Sequence, residues 1–278
     1  MPTETAWAKI NLALHVRKRR ADGYHEIESL FAFARDGDDL AFAPADDLTL
    51  AIDGPFAAGL DAGRGNLVIR AAEALRETFG IAAGARLTLT KNLPVAAGIG
   101  GGSADAAAAI RLLARQWQID LGDPRVGAIA AALGADVPAC LVSRTLRGEG
   151  RGDALDLIDG SALAGMALLL VNPRIGLGTG PVFAGWDLVD RGPLEHGDPL
   201  AAALAGRNDL EAPAVALVPA IGDLVASLGA LEDVVLARMS GSGATCFALF
   251  GHDAARAAAA AAIRARWPDH WCLETALK

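Results

Sequence analysis

Four glycines in five positions, Gly98-Ile99-Gly100-Gly101-Gly102, precede Ser103 and an alanine- and leucine-rich run to about Trp117 that favours helix. Without side chains over the backbone, consecutive N–H groups can converge on an anion, and the helix that follows adds unpaired donors and its positive dipole end. This is the chemistry of a phosphate cradle. It is not a Walker loop, which needs GxxxxGK[ST], and a GxGxxG loop with a downstream acid does not fit either. Ser103 and Asp105 stand where a helix cap and a first-turn acid belong, and equally where a group could touch phosphate or metal. Asp136, in Leu133-Gly-Ala-Asp-Val-Pro138, lies between a helix-ending glycine and a proline and reads as a partly buried carboxylate, a loop cap or a functional acid. The chain has only four lysines, and two of them, Lys9 and Lys91, sit in apolar segments where an ammonium calls for an anion nearby. A lysine and a carboxylate beside a phosphate cradle could orient and deprotonate a hydroxyl while neutralising charge on a transferred phosphoryl group. Spacing alone does not bring Lys9 and Asp136 together. In Tyr24-His25, a phenol ring that can stack and an imidazole that can donate and accept could read a nucleobase, or Tyr24 is an ordinary rim aromatic. The other histidines lack metal-ligand spacing, and neither Ser103 nor Ser240 has a Gly-x-Ser-x-Gly elbow with a His/Asp set.

The elements that must hold these groups begin with Trp7 to Val16, where Ile10, Leu12, Leu14 and Val16 alternate with Lys9, Asn11 and His15 as in a half-buried strand. Arg20 to Tyr24 is a turn, and Ile27 to Phe33 and Asp39 to Ile52 read as strands parted by Gly/Asp/Pro punctuation. Asn66 to Phe79 has helical spacing and stops at Gly80, Arg86 to Thr90 alternates, and a second helix from about Arg125 ends before Gly134. The glycines and charges of Arg147-Gly-Glu-Gly-Arg-Gly152 mark the expected domain boundary, dividing the chain into 1–152 and 153–278. Beyond it come a strand (Met166 to Val171), a loop (Gly176 to Pro181), a helix (Gly222 to Leu228), a strand to Met239, a turn (Ser240 to Gly243), a strand (Thr245 to Phe250) and an alanine-rich helix. Strands and helices mix without strict βαβ alternation, which favours α+β.

Composition narrows the classes. With 278 residues, 53% of them hydrophobic and 21% charged, the chain can bury a core. A net charge of −8 without a clustered Lys/Arg face argues against nucleic acid as a partner. Cys140, Cys246 and Cys272 are odd in number and widely spaced, suggesting neither a disulfide framework nor a zinc site. No signal-peptide pattern or membrane-spanning apolar run is read, so a cytoplasmic protein with no membrane partner is expected.

Three segments, Ala8-Lys-Ile-Asn-Leu12, Pro94 to Asp105 and Met239-Ser-Gly-Ser-Gly-Ala244, resemble the GHMP kinase superfamily, and in this order they cover nearly the whole chain. Arg20-Ala-Asp-Gly-Tyr-His-Glu26, the Ala-Gly-Ile-Gly-Gly-Gly-Ser run, Leu133 to Pro138 and Arg207-Asn-Asp-Leu-Glu211 narrow the resemblance to the 4-diphosphocytidyl-2-C-methyl-D-erythritol kinase family. The resemblance implies an α+β, two-domain GHMP kinase fold, with an N-terminal domain like domain 2 of ribosomal protein S5 and a ferredoxin-like C-terminal domain. It implies ATP-dependent phosphorylation of the 2-hydroxyl of the methylerythritol moiety in non-mevalonate isoprenoid synthesis. Lys9 and Asp136 match the catalytic pair, Asp136 as general base and Lys9 positioning it and stabilising charge. Pro94, Val95, Ala96, Ala97, Gly98, Ile99, Gly100, Gly101, Gly102, Ser103 and Ala104 match the ATP phosphate loop, and Asn66 and Lys91 match positions that contact the nucleotide. Asn11, Tyr24, His25 and Phe183 match the substrate side, with Tyr24 and Phe183 bracketing the cytosine and His25 bonding its edge. Gly241, Ser242 and Gly243 match the third motif, which supports the phosphate loop. The implied cofactors are ATP and Mg2+, the magnesium held mainly through ATP phosphates with no protein metal site; the implied partner is a small cytidine-diphosphate substrate, and the implied state is a monomer or weak homodimer. Two positions depart from the family: Ser103-Ala-Asp105 lacks the commoner second serine, leaving Ser103 to serve alone, and Gly178-Thr-Gly-Pro181 stands where a Thr-Pro pair is commoner. A homoserine- or mevalonate-type kinase and a non-catalytic nucleotide or metabolite binder are the alternatives. Tyr24-His25 speaks against the first, and the presence of both Lys9 and Asp136 against the second.

Overall fold

The computed structural model describes all 278 residues. In chain order its elements are β1 (Thr3–Arg19), β2 (His25–Ala45), β3 (Leu48–Asp53), α1 (Leu67–Phe79), β4 (Gly84–Thr90), α2 (Gly101–Gln116), α3 (Pro124–Leu133), α4 (Val137–Val142), β5 (Leu146–Glu149) and β6 (Ala154–Leu157). There follow β7 (Ala167–Asn172), α5 (Thr179–Ala184), α6 (Pro199–Ala205), α7 (Glu211–Leu217), α8 (Ala220–Gly229), β8 (Val234–Met239), β9 (Cys246–Phe250), α9 (Asp253–Arg266) and β10 (Trp271–Ala276). The chain forms two compact units, one of Met1–Ala8, Asp36–Val95 and Gly100–Ser143, the other of Lys9–Arg35, Ala96–Ile99 and Arg144–Lys278. These units interleave along the sequence, whereas the expected halves 1–152 and 153–278 are contiguous.

In the first unit β4 pairs β3 in parallel, from Leu48↔Ala85 to Asp53↔Thr90, and pairs the second half of β2 antiparallel. A parallel pair needs a crossover, and α1 supplies it. The helix starts at Asn66, whose Oδ1 accepts from the Val68 N–H, and stops at left-handed Gly80, whose N–H reaches the Arg76 carbonyl, as its sequence reads. It buries Val68, Ala72 and Leu75 and packs on α2. The residues Asp36 to Asp39 do not interrupt β2, although their composition reads as a break. A Cβ on Gly37 would lie 2.0 Å from the Ala6 carbonyl oxygen, so glycine lets the β1 backbone pass against the strand. Buried Asp38 accepts from the Asn92 and Leu93 N–H groups at 2.6 and 2.8 Å, so the acid is a fixed part of the strand and not a turn signal.

The second unit contains a four-stranded sheet in the order β10-β7-β9-β8, all neighbours antiparallel. The β7-to-β8 connection, which carries α8, and α9 between β9 and β10 each span one intervening strand, giving the ferredoxin-like split βαβ pattern. The last strand, β10, is absent from the sequence reading because its residues are mostly half-buried and lack clean alternation. Nor is Arg147 to Gly152 a linker. Its first half is β5, paired with Ser29 to Phe31 of β2 and with β6, and a Cβ on Gly148 would strike the Phe31 ring at 2.4 Å. The loop from Gly176 gives way to α5 at Thr179. No helix is long and apolar enough to cross a membrane.

β1 departs from its expected half-buried pattern. Ile10, Leu12 and Val16 have no exposure, and Lys9, Asn11 and His15 on the alternate positions are buried as well. Polar partners make that possible. Leu14 exchanges backbone bonds with Arg207 and Asp209, Val16 N–H donates to Asp209 Oδ2, and His15 accepts the Arg207 N–H at Nε2 while Nδ1 faces the Gly192 carbonyl at 3.2 Å. This arrangement specifies the neutral Nδ1–H tautomer. Burial, helped by the Arg207 charge, lowers the His15 pKa below its ordinary 6.5. As pH falls through that ordinary value the unfolded chain takes up a proton that the folded chain refuses, so stability is present above it and lost below it. Urea unfolding should therefore show wild type losing more stability than His15→Gln when the pH is lowered from about 7 to about 5; parallel curves would remove His15 as the cause.

Candidate active site

In the second unit, the turn after β8 approaches Gly98 backbone to backbone. A Cβ on Gly98 would lie 2.4 Å from the Ser240 carbonyl oxygen and 2.6 Å from that of Gly243, and one on Gly241 would lie 2.8 Å from the Gly98 carbonyl oxygen. Both glycines have positive φ, so geometry and space demand glycine together. Ser240 Oγ donates to the Gly98 carbonyl at 3.0 Å and accepts from the Asn11 N–H at 3.1 Å, and Thr245 N–H donates to the Ala97 carbonyl. Asn208, from the Arg207-Asn-Asp-Leu-Glu211 run, clamps the same turn by donating to the carbonyls of Met239 and Gly241 at 2.8 Å each. Ser242 shares a hydroxyl contact with Thr179 at 3.0 Å.

From β1, the Lys9 ammonium donates to Asn11 Oδ1 at 2.9 Å and lies 4.6 Å above the Phe31 ring. Asn11 Nδ2 donates to Ser29 Oγ at 2.8 Å. Nearby in the chain, the His25 ring lies 4.9 Å from Phe183 and edge-on to Trp186 at 5.7 Å, while Tyr24 is exposed with the Arg151 guanidinium over its ring. Burial, with Arg19 adding to it, lowers the His25 pKa below its ordinary 6.5 and so favours the neutral imidazole.

In the first unit, α2 begins one residue after Gly100, a left-handed N-cap position with no side-chain bond to the helix donors. This corrects the cap reading of Ser103, which lies in the first turn, and the first-turn reading of Asp105, which lies deeper and is buried. A serine cap would have spent a donor that this helix start leaves open. Asp105 instead meets Lys91. The ammonium donates to Asp105 Oδ2 at 2.7 Å and to Asp38 Oδ2, with all three side chains almost wholly buried. Its Nζ lies 3.3 Å from where a Cβ on Gly101 would stand, directly beneath the helix start. One ammonium faces two carboxylates. Burial raises the Asp105 pKa and the Asp38 charge adds to it, against the pull of Lys91; burial works against the Lys91 ammonium too, but the two carboxylates outweigh it and raise its pKa. A proton shared toward Asp105 leaves the cluster near neutrality, and the lone unpartnered oxygen, Asp105 Oδ1, suits that state. Asn66 caps α1, with its Nδ2 donating to the Asp61 carbonyl. Asp136 is half-buried at the start of α4, in helical conformation and without a capping bond from its side chain.

Ser29, Asn208, Asp38 and Trp186 were absent from the sequence-derived site. A hydroxyl between Ile27 and Phe31 on one strand face signals Ser29, whereas Asp38 lies in an Asp/Gly stretch that reads as a break and hides it. Nothing comparable marks Trp186.

Comparison with known proteins decides the family. Residues 66–144 match the model for the GHMP kinases N terminal domain and residues 194–269 that for GHMP kinases C terminal. The 4-diphosphocytidyl-2-C-methyl-D-erythritol kinase of Rhizorhabdus wittichii is 61% identical over the whole chain and 95% of its own length, and that of Sphingopyxis alaskensis is 54% identical over 99% and 98%. A crystal structure of 4-(cytidine 5'-diphospho)-2C-methyl-D-erythritol kinase superposes with a TM-score of 0.81 at 33% identity, covering 99% of both chains. The chain belongs to the 4-diphosphocytidyl-2-C-methyl-D-erythritol kinase family. It is a kinase with the α+β GHMP fold. Homoserine kinase from Cytophaga hutchinsonii, at 16% identity, a TM-score of 0.68 and 97% and 95% coverage, shares that fold alone.

Within this kinase chain the matched N-terminal span contains the whole α2 start, Lys91 and Asp136, and the C-terminal span contains Asn208 and the turn at Ser240. Removing the ammonium should expose how much the first of these depends on its buried charge. Lys91→Met leaves two carboxylates buried without a cation, and urea unfolding should show a loss of about 3–5 kcal/mol; a loss under about 1 kcal/mol would mean the carboxylates already share their protons without it.

Proposed function

We propose that this kinase transfers the γ-phosphoryl group of ATP to the 2-hydroxyl of 4-diphosphocytidyl-2-C-methyl-D-erythritol, a step of non-mevalonate isoprenoid synthesis. The observation that carries the reading is identity of 61% across the entire chain to a relative of that name, with Lys9, Asp136 and the glycine loop all present. The division of roles between 1–152, with phosphate loop and substrate side, and 153–278 is part of the proposal.

The α2 start suits a polyphosphate. Its N-terminal donors have no side-chain cap, and the glycines at 100, 101 and 102 bring no side chains of their own to them. Residues Pro94 to Ala104 would hold the phosphates, with Asn66 on the nucleotide side and Lys91 acting from beneath Gly101. MgATP, when bound, supplies the transferable phosphoryl group, with the metal carried mainly by the phosphate oxygens. Asp136 accepts or orients the proton of the substrate hydroxyl, and Lys9 neutralises charge that develops in transfer. A loose transition state asks little of a base, so orientation is the larger part of the Asp136 role. Tyr24 and Phe183 bracket the cytosine, His25 bonds its edge and Asn11 contacts the substrate. A neutral His25 suits that task, because it donates and accepts at once. Gly241, Ser242 and Gly243 support the phosphate loop.

The test is ADP release with MgATP and the cytidine-diphospho substrate, alongside Asp136→Ala and a substrate lacking the cytidine. Turnover should fall about 10²–10⁴-fold in the variant and nearly vanish with the truncated substrate. Equal ADP release from the truncated sugar alcohol would overturn the substrate assignment and leave the kinase family standing.

A further inference from the structure

We infer that Ser29 is a positioning residue for the kinase reaction, acting through Asn11 to fix the Lys9 ammonium. The inference rests on the role proposed above for Lys9 and Asn11. It comes from a buried hydrogen-bond chain that has only one possible polarity. The Lys9 ammonium can only donate, so the Asn11 side chain must turn its oxygen toward it, at 2.9 Å. That orientation aims Nδ2 at Ser29 Oγ, 2.8 Å away, and the serine oxygen must accept. It is able to because its own hydrogen is spent elsewhere, on the Ala13 carbonyl at 2.7 Å. All three side chains are 3% exposed or less, so no bulk water can substitute for a missing member.

An asparagine amide is nearly symmetric in shape, and a flipped amide would aim two N–H hydrogens at the ammonium. The partner at the far end enforces the same orientation independently. With Ser29 donating to Ala13, Oγ offers a lone pair to Nδ2, whereas a flipped Oδ1 would meet no hydrogen there. The Asn11 backbone is held independently by Ser240 Oγ at 3.1 Å, so the chain governs the side chain and not the strand. Ser29 itself lies on β2, where the pairing Ser29↔Gly148 fixes its backbone. The ammonium is thereby set against the Phe31 ring by a sequence of donors and acceptors that ends on a main-chain carbonyl. Because transfer rates are sensitive to displacements of about 1 Å in a charge-stabilising group, loosening this chain should act on kcat.

The experiment is steady-state kinetics on the full-length protein for Ser29→Ala, Ser29→Cys, Ser29→Thr, Asn11→Ala and the double variant Asn11→Ala/Ser29→Ala, with thermal unfolding in parallel. Ser29→Ala should lower kcat about 10–100-fold while KM for ATP changes less than about threefold. Ser29→Cys, close in volume but a poor acceptor, keeps the test available if the alanine variant does not fold, and should lose most of the same factor. Ser29→Thr should recover much of the rate. In the Asn11→Ala background, Ser29→Ala should cost nothing further, because a residue acting through Asn11 has no route left. An equal loss in both backgrounds, or an unchanged kcat in folded Ser29→Ala and Ser29→Cys, overturns the inference. If Asn11→Ala itself keeps wild-type kcat, the proposed role of Asn11 falls and takes the inference with it, whereas a slow Asn11→Ala with a fast Ser29→Ala sinks the inference alone.

Discussion

A carbonyl oxygen cannot lie 2.4 Å from a Cβ atom, so the approach of the Ser240 backbone to residue 98 permits glycine there and nothing else. Much of the second unit's site geometry follows from that contact. The two loops are separated by more than a hundred residues, and each needs its own glycine in a left-handed conformation to reach the other. A hydroxyl then locks the contact, since Ser240 Oγ donates to the Gly98 carbonyl, and the same oxygen accepts from the backbone of Asn11. One serine thus ties the first half of the glycine loop to the strand that carries Lys9. Asn208 adds a clamp from a third segment by holding the carbonyls on both sides of that serine.

Each compact unit also carries its own buried polar assembly, and the two solve different problems. Around Lys91 the problem is charge. Two carboxylates around one ammonium are electrostatically unbalanced unless a proton joins them, and burial provides the push that recruits it to Asp105. The Lys91 ammonium lies beneath Gly101, at the start of α2. Around Lys9 the problem is orientation. Asn11 accepts from the ammonium and passes the constraint through Ser29 to the Ala13 carbonyl.

The glycine run, the helical span of α1 with its stop at Gly80 and the strand at Arg86 to Thr90 were legible because each rests on local rules: backbone freedom at glycine, helical spacing and period-two alternation. Failures came where a long-range partner overrode them. Asp36 to Asp39 reads as a break, yet Asn92 and Leu93 supply donors to Asp38 from a distant segment and β2 runs on. The alternate face of β1 reads as solvated, yet Arg207 and Gly192 meet His15, Ser29 meets Asn11, and the face is buried. Ser103 reads as a cap because it is the first capping residue before an apolar run, but glycines can enter the helix themselves and the turn starts earlier. In each case the residue type was informative and its partner, not encoded nearby, decided the meaning.

Fold and specificity separate cleanly in this protein. Homoserine and mevalonate kinases at 11–16% identity superpose with TM-scores of 0.68 to 0.70, so the backbone frame by itself is indifferent to which alcohol is phosphorylated. Whatever selects the proposed cytidine-bearing substrate must lie in side chains added to that frame. The His25 environment has the properties required. Phe183 and Trp186 crowd the imidazole on two sides, and burial with the Arg19 charge lowers its pKa and favours the neutral ring. A protonated ring would offer two donors, and a cytosine edge, with an acceptor nitrogen beside a donor amine, needs one of each. The proposed reading of a cytosine edge by His25 uses the neutral ring that these aromatic walls favour. Those walls come from α5 and the residue two places beyond it, a segment outside both spans matched by the general superfamily models.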